Sequence, residues 1–228
     1  MSAAPESARE AHALIAVWLH VAADREEEFN DWYELEHLSQ VTNLEGFICA
    51  RRYSAEDGSV PKFLAWYEVQ DAGVETAPPF QDLVAHPTGW SQRMRRFYGE
   101  NRIRNNYRLV ISRGTAPVPD APFLYVVQTD CAEPAREKEF FDWYDGEHLP
   151  ALAAAPGVLR ARRYEAVSGS PGSMAAYELA SRDIFESPGW LDARLRSRTD
   201  EMSVLFAPGR RAMYRLIRPT LWHEAKED

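Results

Sequence analysis

Two glutamate–histidine pairs, Glu36–His37 and Glu147–His148, are the residues of this chain best suited to acid–base chemistry. Histidine changes its charge between about pH 5 and pH 8, and an adjacent carboxylate can orient the imidazole or share its proton. A tyrosine precedes each histidine by four residues, which is one helical turn, so its hydroxyl could hold a substrate oxygen. The predicted catalytic residues are His148, His37, Glu147 and Glu36, with Tyr144 and Tyr33 predicted to bind substrate.

Both pairs belong to a segment that occurs twice. EFNDWYELEHLSQ at 28–40 and EFFDWYDGEHLPA at 139–151 align at a constant offset of 111 residues, and an ARRY sequence follows each copy. A period this long is too large for a solenoid repeat, so it indicates a duplicated small domain. We therefore predict two like modules, each with its own copy of the motif.

Each motif is predicted to lie on an amphipathic helix. At about 100° per residue, Phe29, Trp32 and Tyr33 form an aromatic stripe with Glu36 at its centre and His37 on its flank. A buried carboxylate must be paired, hydrogen-bonded or protonated. Two alternatives follow. Either each glutamate forms an ion pair with an arginine of the following strand, Arg51 or Arg52 and Arg162 or Arg163, or it lines a cavity with its histidine.

The histidines are predicted to lie in the last turn of their helices, since Pro150 disfavours helix in the residue before it. A helix C-terminus and a neighbouring carboxylate both favour the imidazolium, so each histidine is expected to hold and donate a proton near neutral pH. The two motif helices should lie on opposite outer faces, which gives two separate pockets. The second copy, with Gly146 and the small residues 151–155, is the better candidate for the active one.

The elements around the motif follow the order βαββαβ in each module. Strands are predicted at ALIAVWLHV, GFICARRYS, FLAWYEV and NNYRLVISR in the first module, with a second helix over 79–99. The second module repeats this order with helices over 134–149 and 182–203. The predicted fold class is α+β: two tandem ferredoxin-like βαββαβ modules forming an intramolecular dimeric α+β barrel, with the helices outside.

The predicted boundaries follow composition. Residues 1–11 are small and polar and are predicted to be disordered, residues 12–113 form module 1, and a proline-rich linker covers 114–121. Module 2 is predicted over 122–220, followed by a C-terminal tail over 221–228.

Composition excludes several function classes. The net charge of −9 argues against binding to nucleic acid or an anionic membrane, and no apolar run approaches the roughly 20 residues of a membrane span. The N-terminus lacks a signal-peptide pattern, so a cytoplasmic location is expected. Cys49 and Cys131 have no disulfide or zinc spacing, and the chain has no phosphate loop, HExxH, GxSxG or CxxC motif. We therefore expect no metal and no cofactor.

The string EFFDWYDGEHLPALAAAPGVLRARRY resembles the EthD-like members of the dimeric α+β barrel superfamily, and the likeness extends over both modules. That superfamily includes cofactor-independent monooxygenases, muconolactone isomerases, polyketide dehydratases and decarboxylases, and haem-binding groups such as chlorite dismutases. The resemblance implies that His37 and His148 face a pocket between helices and sheet. The first copy departs from the pattern at Leu35 and Ser39, which stand where the second has Gly146 and Pro150.

The resulting prediction is a cofactor-independent lyase, isomerase or cyclase that acts on a small aromatic or polyketide-like metabolite. The alternatives are a cofactor-independent or haem-dependent oxygenase and a non-catalytic small-molecule-binding protein. The expected partner is the small-molecule substrate, and the expected assembly is a monomer with an internal pseudo-dimer or a homodimer. The remaining predicted substrate-binding residues are Trp143, Trp32, His20, Arg163 and Arg52, of which His20 has the alternative of an ordinary core histidine.

Overall fold

The chain forms two compact units in a computed structural model that describes residues 11–99, 102–114, 120–196 and 198–224. Unit 1 comprises Met1–Arg108 and Ile217–Asp228, and unit 2 comprises Leu109–Leu216. The predicted modules 12–113 and 122–220 therefore fall mostly within one unit each. The division lies inside a long strand, so the residues after Arg108 group with unit 2 and those from Ile217 onward group with unit 1.

Unit 1 has the predicted strand and helix order. Its elements are β1 (Ala13–Leu19), α1 (Glu26–Trp32), α2 (Leu38–Thr42), β2 (Phe47–Ala55), β3 (Phe63–Val69), α3 (Pro78–Ala85), α4 (Gly89–Tyr98), the first part of β4 (Arg102–Gly114) and, after unit 2, β9 (Leu221–Trp222). A π-helical turn, Tyr33–His37, joins α1 to α2. The second helix, predicted as one irregular element, is divided into α3 and α4 at His86–Thr88.

The strands of unit 1 pair antiparallel. β1 lies between β3 and β4, so that Val17 faces Ala65 on one side and Arg104 on the other, and β2 pairs with the far edge of β3. The short β9 pairs with β2 through Cys49 and Ala50, where a free tail was predicted. Alternate residues of β1, including Val17, pack with the helices in one hydrophobic core.

Unit 2 repeats this plan. Its elements are β5 (Phe123–Thr129), α5 (Glu137–Trp143), α6 (Leu149–Ala153), β6 (Val158–Ala166), β7 (Ser173–Leu179), α7 (Pro188–Arg196), α8 (Thr199–Met202) and β8 (Arg210–Leu216). A second π-helical turn, Tyr144–His148, joins α5 to α6. β5 is central, and Val127 faces Ala175 of β7 and Arg211 of β8, as Val17 faces its partners in unit 1.

A glycine after each motif helix explains part of the repeat. Gly46 and Gly157 have φ values of +87° and +89°, in a backbone region that residues other than glycine rarely adopt. A Cβ atom at Gly46 would lie 2.6 Å from Val74, and one at Gly157 would lie 2.6 Å from Ile184. Both glycines are therefore fixed by backbone geometry and by close packing.

The sheet face opposite the helices carries buried charge in both units. In unit 2, Glu178 accepts hydrogen bonds from Arg160 Nη2 at 2.7 Å and from Arg162 Nη2 at 2.6 Å. In unit 1, Arg51 Nη1 donates to Glu68 at 2.5 Å. All five side chains are nearly inaccessible to solvent, so these ion pairs belong to the core.

No helix in the described ranges is long and apolar enough to cross a bilayer. Cys49 and Cys131 form no disulfide. The described residues also contain no group of three or more His, Cys, Asp or Glu side chains that could hold a metal ion. The predicted disordered N-terminus, most of the predicted linker and the end of the tail lie outside the described residues.

Candidate active site

The π-helical turn in each motif decides which side chain faces inward. In an α-helix, residues i and i+5 are about 140° apart, but a π-turn adds a residue and brings them nearly into line. The ring of His37 accordingly stacks on Trp32 with centroids 4.3 Å apart, and His148 stacks on Trp143 at 4.6 Å. The histidine therefore continues the aromatic stripe, where a regular helical wheel placed the glutamate.

Glu36 is half-buried and is held by hydroxyl groups of the neighbouring helix. Its Oε1 accepts hydrogen bonds from Thr88 Oγ1 at 2.6 Å, Ser91 Oγ at 3.1 Å and Trp32 Nε1 at 3.2 Å. Thr88 is also the N-cap of α4 and accepts from the Ser91 backbone N–H. Glu36 thus fixes the motif helix to α4 and does not line the cavity described below.

Glu147 is exposed, so the expectation that it is buried is wrong. It lies with Trp143 in an open depression on the outer surface of unit 2. The physical reason is visible in the sequence, because Pro188 and Leu191 stand where unit 1 has Thr88 and Ser91. The two hydroxyls that hold Glu36 in unit 1 therefore have no counterpart at these positions of unit 2.

The predicted ion pairs between these glutamates and the ARRY arginines are also wrong. Arg51 and Arg162 point to the opposite face of the sheet and pair with Glu68 and Glu178. Arg52 donates to Asn30 Oδ1 at 2.9 Å and lies 4.1 Å from the centroid of the Tyr33 ring. Side chains alternate along a strand, so the two arginines of each pair lie on opposite faces of the sheet.

Arg163 has a different partner from Arg52. It makes a bidentate ion pair with Asp145, with both N–O distances at 2.5 Å, and lies over the ring of Phe141. It therefore attaches the motif helix of unit 2 to β6 without entering the cavity.

A cavity of about 320 Å³ lies between the helices and the sheet of unit 2. His148, Tyr144 and Tyr177 are among the polar residues that line it, and two exposed arginines, Arg194 and Arg211, line it at the solvent side. The volume falls at the lower end of the range for small-molecule sites, about 300–1,000 Å³. The structure thus brings Tyr144 and His148 together as the sequence predicted.

The walls of this cavity are aromatic. Trp190 packs against Phe185 with ring centroids 4.8 Å apart and against Tyr177 at 5.5 Å. Phe206 lies across from them, with its ring centroid 6.5 Å from that of His148. A flat, apolar ligand would find ring faces and edges on several sides.

Tyr144 and Tyr177 form a buried hydroxyl pair. Their oxygens are 3.0 Å apart, and either can be the donor. Burial raises the pKa of Tyr144 to about 12 and that of Tyr177 well above its ordinary value. Both groups are therefore protonated at neutral pH, and only one of the two protons is needed for the bond between them. The other can be donated to a ligand oxygen.

His148 is buried and neutral. Its pKa is lowered to about 4, mainly by burial and to a smaller extent by the positive charge of nearby Arg194. The expectation that the helix end and Glu147 would keep it as an imidazolium is therefore wrong. Its buried Nδ1 has no hydrogen-bond partner among the described residues, which leaves this atom for a ligand or a water molecule. His148 is thus set up to accept a proton.

Unit 1 has the equivalent cavity, but its volume is only about 80 Å³. An apolar cavity of about 150 Å³ binds benzene in a well-studied case, so the cavity of unit 1 is small for an aromatic substrate. Trp32, Tyr33 and His37 line it, and the pKa of His37 is lowered to about 3, chiefly by burial and then by Arg95, Arg104 and Arg52.

Three further predicted residues do not line either cavity. Trp143 forms the support beneath the ring of His148, and Arg52 supports Tyr33. His20 is half-buried at the end of β1, and its buried Nδ1 has no hydrogen-bond partner among the described residues.

Sequence reasoning missed Tyr177, Arg194 and Arg211. The duplicated Tyr-Glu pair of β7 was a usable signal for Tyr177, because alternation places that tyrosine on the helix face of the sheet. Arg211 follows from the same reasoning once β8 is paired with Val127. Arg194 lies on a surface helix and had no distinctive signal.

Comparisons with known proteins identify the fold. No protein-family model matches the chain, and no curated protein matches its sequence. Among solved structures, an anthrone oxidase-like protein aligns over 97% of both chains with a TM-score of 0.63 at 13% identity. A candidate monooxygenase from Fusobacterium nucleatum aligns over 92% of this chain and 95% of its own, with a TM-score of 0.62 at 11% identity.

A chlorite dismutase from Candidatus Nitrospira defluvii also aligns, over 90% of this chain and 92% of its own, with a TM-score of 0.53 at 10% identity. These structures share the dimeric α+β barrel fold. The predicted fold class, α+β with two ferredoxin-like modules of the dimeric α+β barrel type, is therefore confirmed.

The superfamily that the sequence resembles includes haem-binding groups, so haem is a ligand to compare with the cavity of unit 2. A volume of about 320 Å³ suits one small ring system, whereas a porphyrin with two propionates requires the upper part of the usual range. An axial histidine normally donates its second ring N–H to an acceptor that orients it, and the Nδ1 of His148 has none among the described residues. The residues present do not fit haem.

Proposed function

We propose that the cavity of unit 2 is the active site of an enzyme that removes a proton from a small aromatic or polyketide-like metabolite without a cofactor. The observation that carries this proposal is a neutral buried histidine, His148, beside a pair of protonated tyrosines in an aromatic-walled cavity of about 320 Å³. This combination provides a base, a hydrogen-bond donor for a substrate oxygen and a place for a ring.

Binding begins with the apolar walls. A planar ring would lie against Trp190 and Phe206, while a phenol or ketone oxygen accepts a hydrogen bond from Tyr144 or Tyr177. Arg194 and Arg211 add positive charge at the solvent side, which favours a substrate that carries or develops negative charge.

Proton removal follows at His148. At pH 7, protonation of a base with a pKa near 4 costs roughly 4 kcal/mol, so the free site is a weak base. The positive charge of Arg194 is one cause of the low pKa of His148. Negative charge that develops on the substrate offsets this positive charge and so reduces the free-energy cost of protonating His148. The tyrosine hydroxyl stabilises the resulting enolate or phenolate oxygen, as hydrogen-bond donors do in oxyanion sites.

Several reactions begin with this step. The names of the structural neighbours, an anthrone oxidase-like protein and a candidate monooxygenase, favour reaction of the deprotonated substrate with O₂. A lyase, isomerase or cyclase reaction remains the alternative, and the repeated EH motif favours an EthD-like member of the superfamily. Glu36 acts in this proposal by fixing the motif helix to α4, and Glu147 takes no part in the chemistry.

Matched histidine variants test the proposal. We expect His148→Gln to lower kcat at least about 100-fold, which is the lower range of the contribution of a general base. The equivalent His37→Gln, in the cavity that is too small for a ring, should keep nearly full activity. The assay would measure oxygen consumption and product formation with anthrone first, followed by other phenolic and β-keto aromatic compounds.

Three outcomes decide between the alternatives. Turnover that survives His148→Gln in a folded protein contradicts the assignment of the base. Product formation without oxygen consumption supports the lyase or isomerase alternative. Tight binding of aromatic compounds with no turnover of any of them by the wild-type protein supports a ligand-binding protein.

The remaining expectations are also proposals. We propose a cytoplasmic location, and the net charge of −9 favours the absence of nucleic-acid and anionic-membrane partners. The assembly, a monomer with an internal pseudo-dimer or a homodimer, would be measured by sedimentation.

A further inference from the structure

The small cavity of unit 1 is lined by an unusual number of cationic side chains. Arg95, Arg102 and Arg104 all line a space of only about 80 Å³, together with His37. A cavity of this size in an ordinary core would be apolar and dry. Here three arginines line it, of which Arg104 is half-buried and Arg95 and Arg102 are exposed. The part of this charge that is withdrawn from water calls for a ligand or for a compensating carboxylate.

The carboxylates in the described part of the chain compensate only one of these charges. Arg104 forms an ion pair with Glu75, which also accepts from Asn106. No described carboxylate lies within ion-pair distance of Arg95 or Arg102, and the guanidinium group of Arg95 donates to the carbonyl oxygen of Val84 at 3.3 Å. The lining therefore has excess positive charge.

A buried donor at this cavity also lacks an acceptor. The Nε atom of Arg104 is inaccessible to solvent and has no hydrogen-bond partner among the described residues. An unsatisfied buried donor on a charged group costs more than one on a neutral group, so it is normally matched by an acceptor.

The electrostatic field inside the cavity agrees with this geometry. The charges that lower the pKa of His37 are all positive and include Arg95 and Arg104. At the other end, Arg102 and Arg95 both lower the pKa of Tyr98 against the effect of burial. The arginines thus act on the same small volume from two sides.

We propose that the unit 1 cavity is a binding site for a small oxyanion of three or four heavy atoms, such as a short carboxylate or nitrate, held by Arg95, Arg102 and Arg104. The site is too small for an aromatic substrate and takes a small anion instead. It is a second ligand site, and it does not depend on the reaction assigned to unit 2.

Acetate and acetamide form the matched ligand pair for the test, because they have nearly the same shape and differ in charge. The full-length protein would be titrated with sodium acetate, sodium nitrate and acetamide at constant ionic strength. Calorimetry and the melting temperature are the readouts. We expect acetate and nitrate to bind and to raise the melting temperature, while acetamide does neither. Equal effects of acetate and acetamide would overturn the proposal.

Two arginines on the same helix supply the matched variants. Both arginines are exposed, but only Arg95 lines the cavity. We expect Arg95→Gln to weaken acetate binding at least about tenfold, as expected for loss of a charge-assisted hydrogen bond, and Arg96→Gln to leave it unchanged. Equal affinity in wild type and Arg95→Gln would contradict the site.

The wild-type protein provides a readout that needs no variant in the cavity. An anion beside His37 must raise the pKa of that imidazole from about 3, which NMR follows through its ring protons. Nitrate is the probe for this titration, because it stays charged at low pH, where acetate becomes neutral acetic acid. Saturating nitrate that leaves the His37 titration unchanged would overturn the proposal even if Arg95→Gln failed to fold. The activity of His148→Gln does not enter this test, so failure of the proposed reaction and failure of the anion site are separate results.

Discussion

The charge state of His148 is the prediction on which the proposed chemistry depends. A pKa near 4 in place of about 6.5 corresponds to roughly 3 kcal/mol in favour of the neutral ring. Burial is the larger cause and Arg194 the smaller. Replacing Arg194 by Gln removes only the smaller one, so we expect the pKa of His148 to rise by no more than roughly one pH unit.

The same charge state makes folding stability depend on pH. The pKa of His148 is lower in the folded protein than in the unfolded chain, so between about pH 6.5 and pH 4 the unfolded state binds more protons. The contribution of neutral His148 to the free energy of unfolding is therefore complete above about pH 6.5 and is lost as the pH falls towards 4. From pH 7 to pH 4.5, the wild-type protein should lose roughly 2 kcal/mol of unfolding free energy through His148, and His148→Gln should lose that much less.

Two assays measure these effects. NMR titration of the histidine ring protons gives the pKa, with His148 assigned by its absence in His148→Gln, and urea unfolding at pH 7 and pH 4.5 gives the stability. Arg182→Gln is the matched control, because Arg182 is exposed and is not among the causes that lower the pKa of His148. A wild-type pKa of 6 or higher, or identical pH dependence in wild type and His148→Gln, would refute the reasoning.

Three other variants give distinct expected outcomes. Tyr177→Phe removes one hydroxyl of the buried pair and should lower kcat with little change in melting temperature; unchanged steady-state kinetics would count against a role in catalysis. Glu178→Ala leaves Arg160 and Arg162 buried without their shared carboxylate and should cost about 3–5 kcal/mol in urea unfolding, whereas a loss below 1 kcal/mol would mean that the ion pairs are not essential. Glu147→Gln changes an exposed side chain, so a measurable fall in kcat would place this glutamate back in the chemistry.

Much of the fold could be predicted from the sequence, because the duplication and the alternation of apolar residues are local signals. The order βαββαβ, the two motif helices and the equivalence of the modules followed from the offset of 111 and from strand patterns. The break between α3 and α4, at His86–Thr88, was already visible as an irregularity around a proline and a glycine.

The orientation of the motif could not be predicted in the same way. A wheel at a constant 100° per residue assumes regular α-helix, and the π-turns at Tyr33–His37 and Tyr144–His148 break that assumption at the residues that matter. This single local change exchanged the positions expected for glutamate and histidine. It also reversed the expected charge of the histidine, because burial outweighs the helix end.

Cavity size and the arginines around it depend on long-range packing. The cavity volume is about 320 Å³ in unit 2 and about 80 Å³ in unit 1, and no spacing within the motif encodes this difference. The preference for the second copy rested on Gly146 and nearby small residues. The larger cavity volume of unit 2 supports the same preference for a different reason.

A crystal structure with anthrone bound would test the central claim most directly, since the claim is that a ring occupies the cavity of unit 2. The account predicts anthrone density against Trp190, with its oxygen within hydrogen-bond distance of Tyr144 or Tyr177 and the reacting carbon facing His148. Anthrone density in the cavity of unit 1, or only in the open depression beside Glu147, would contradict it.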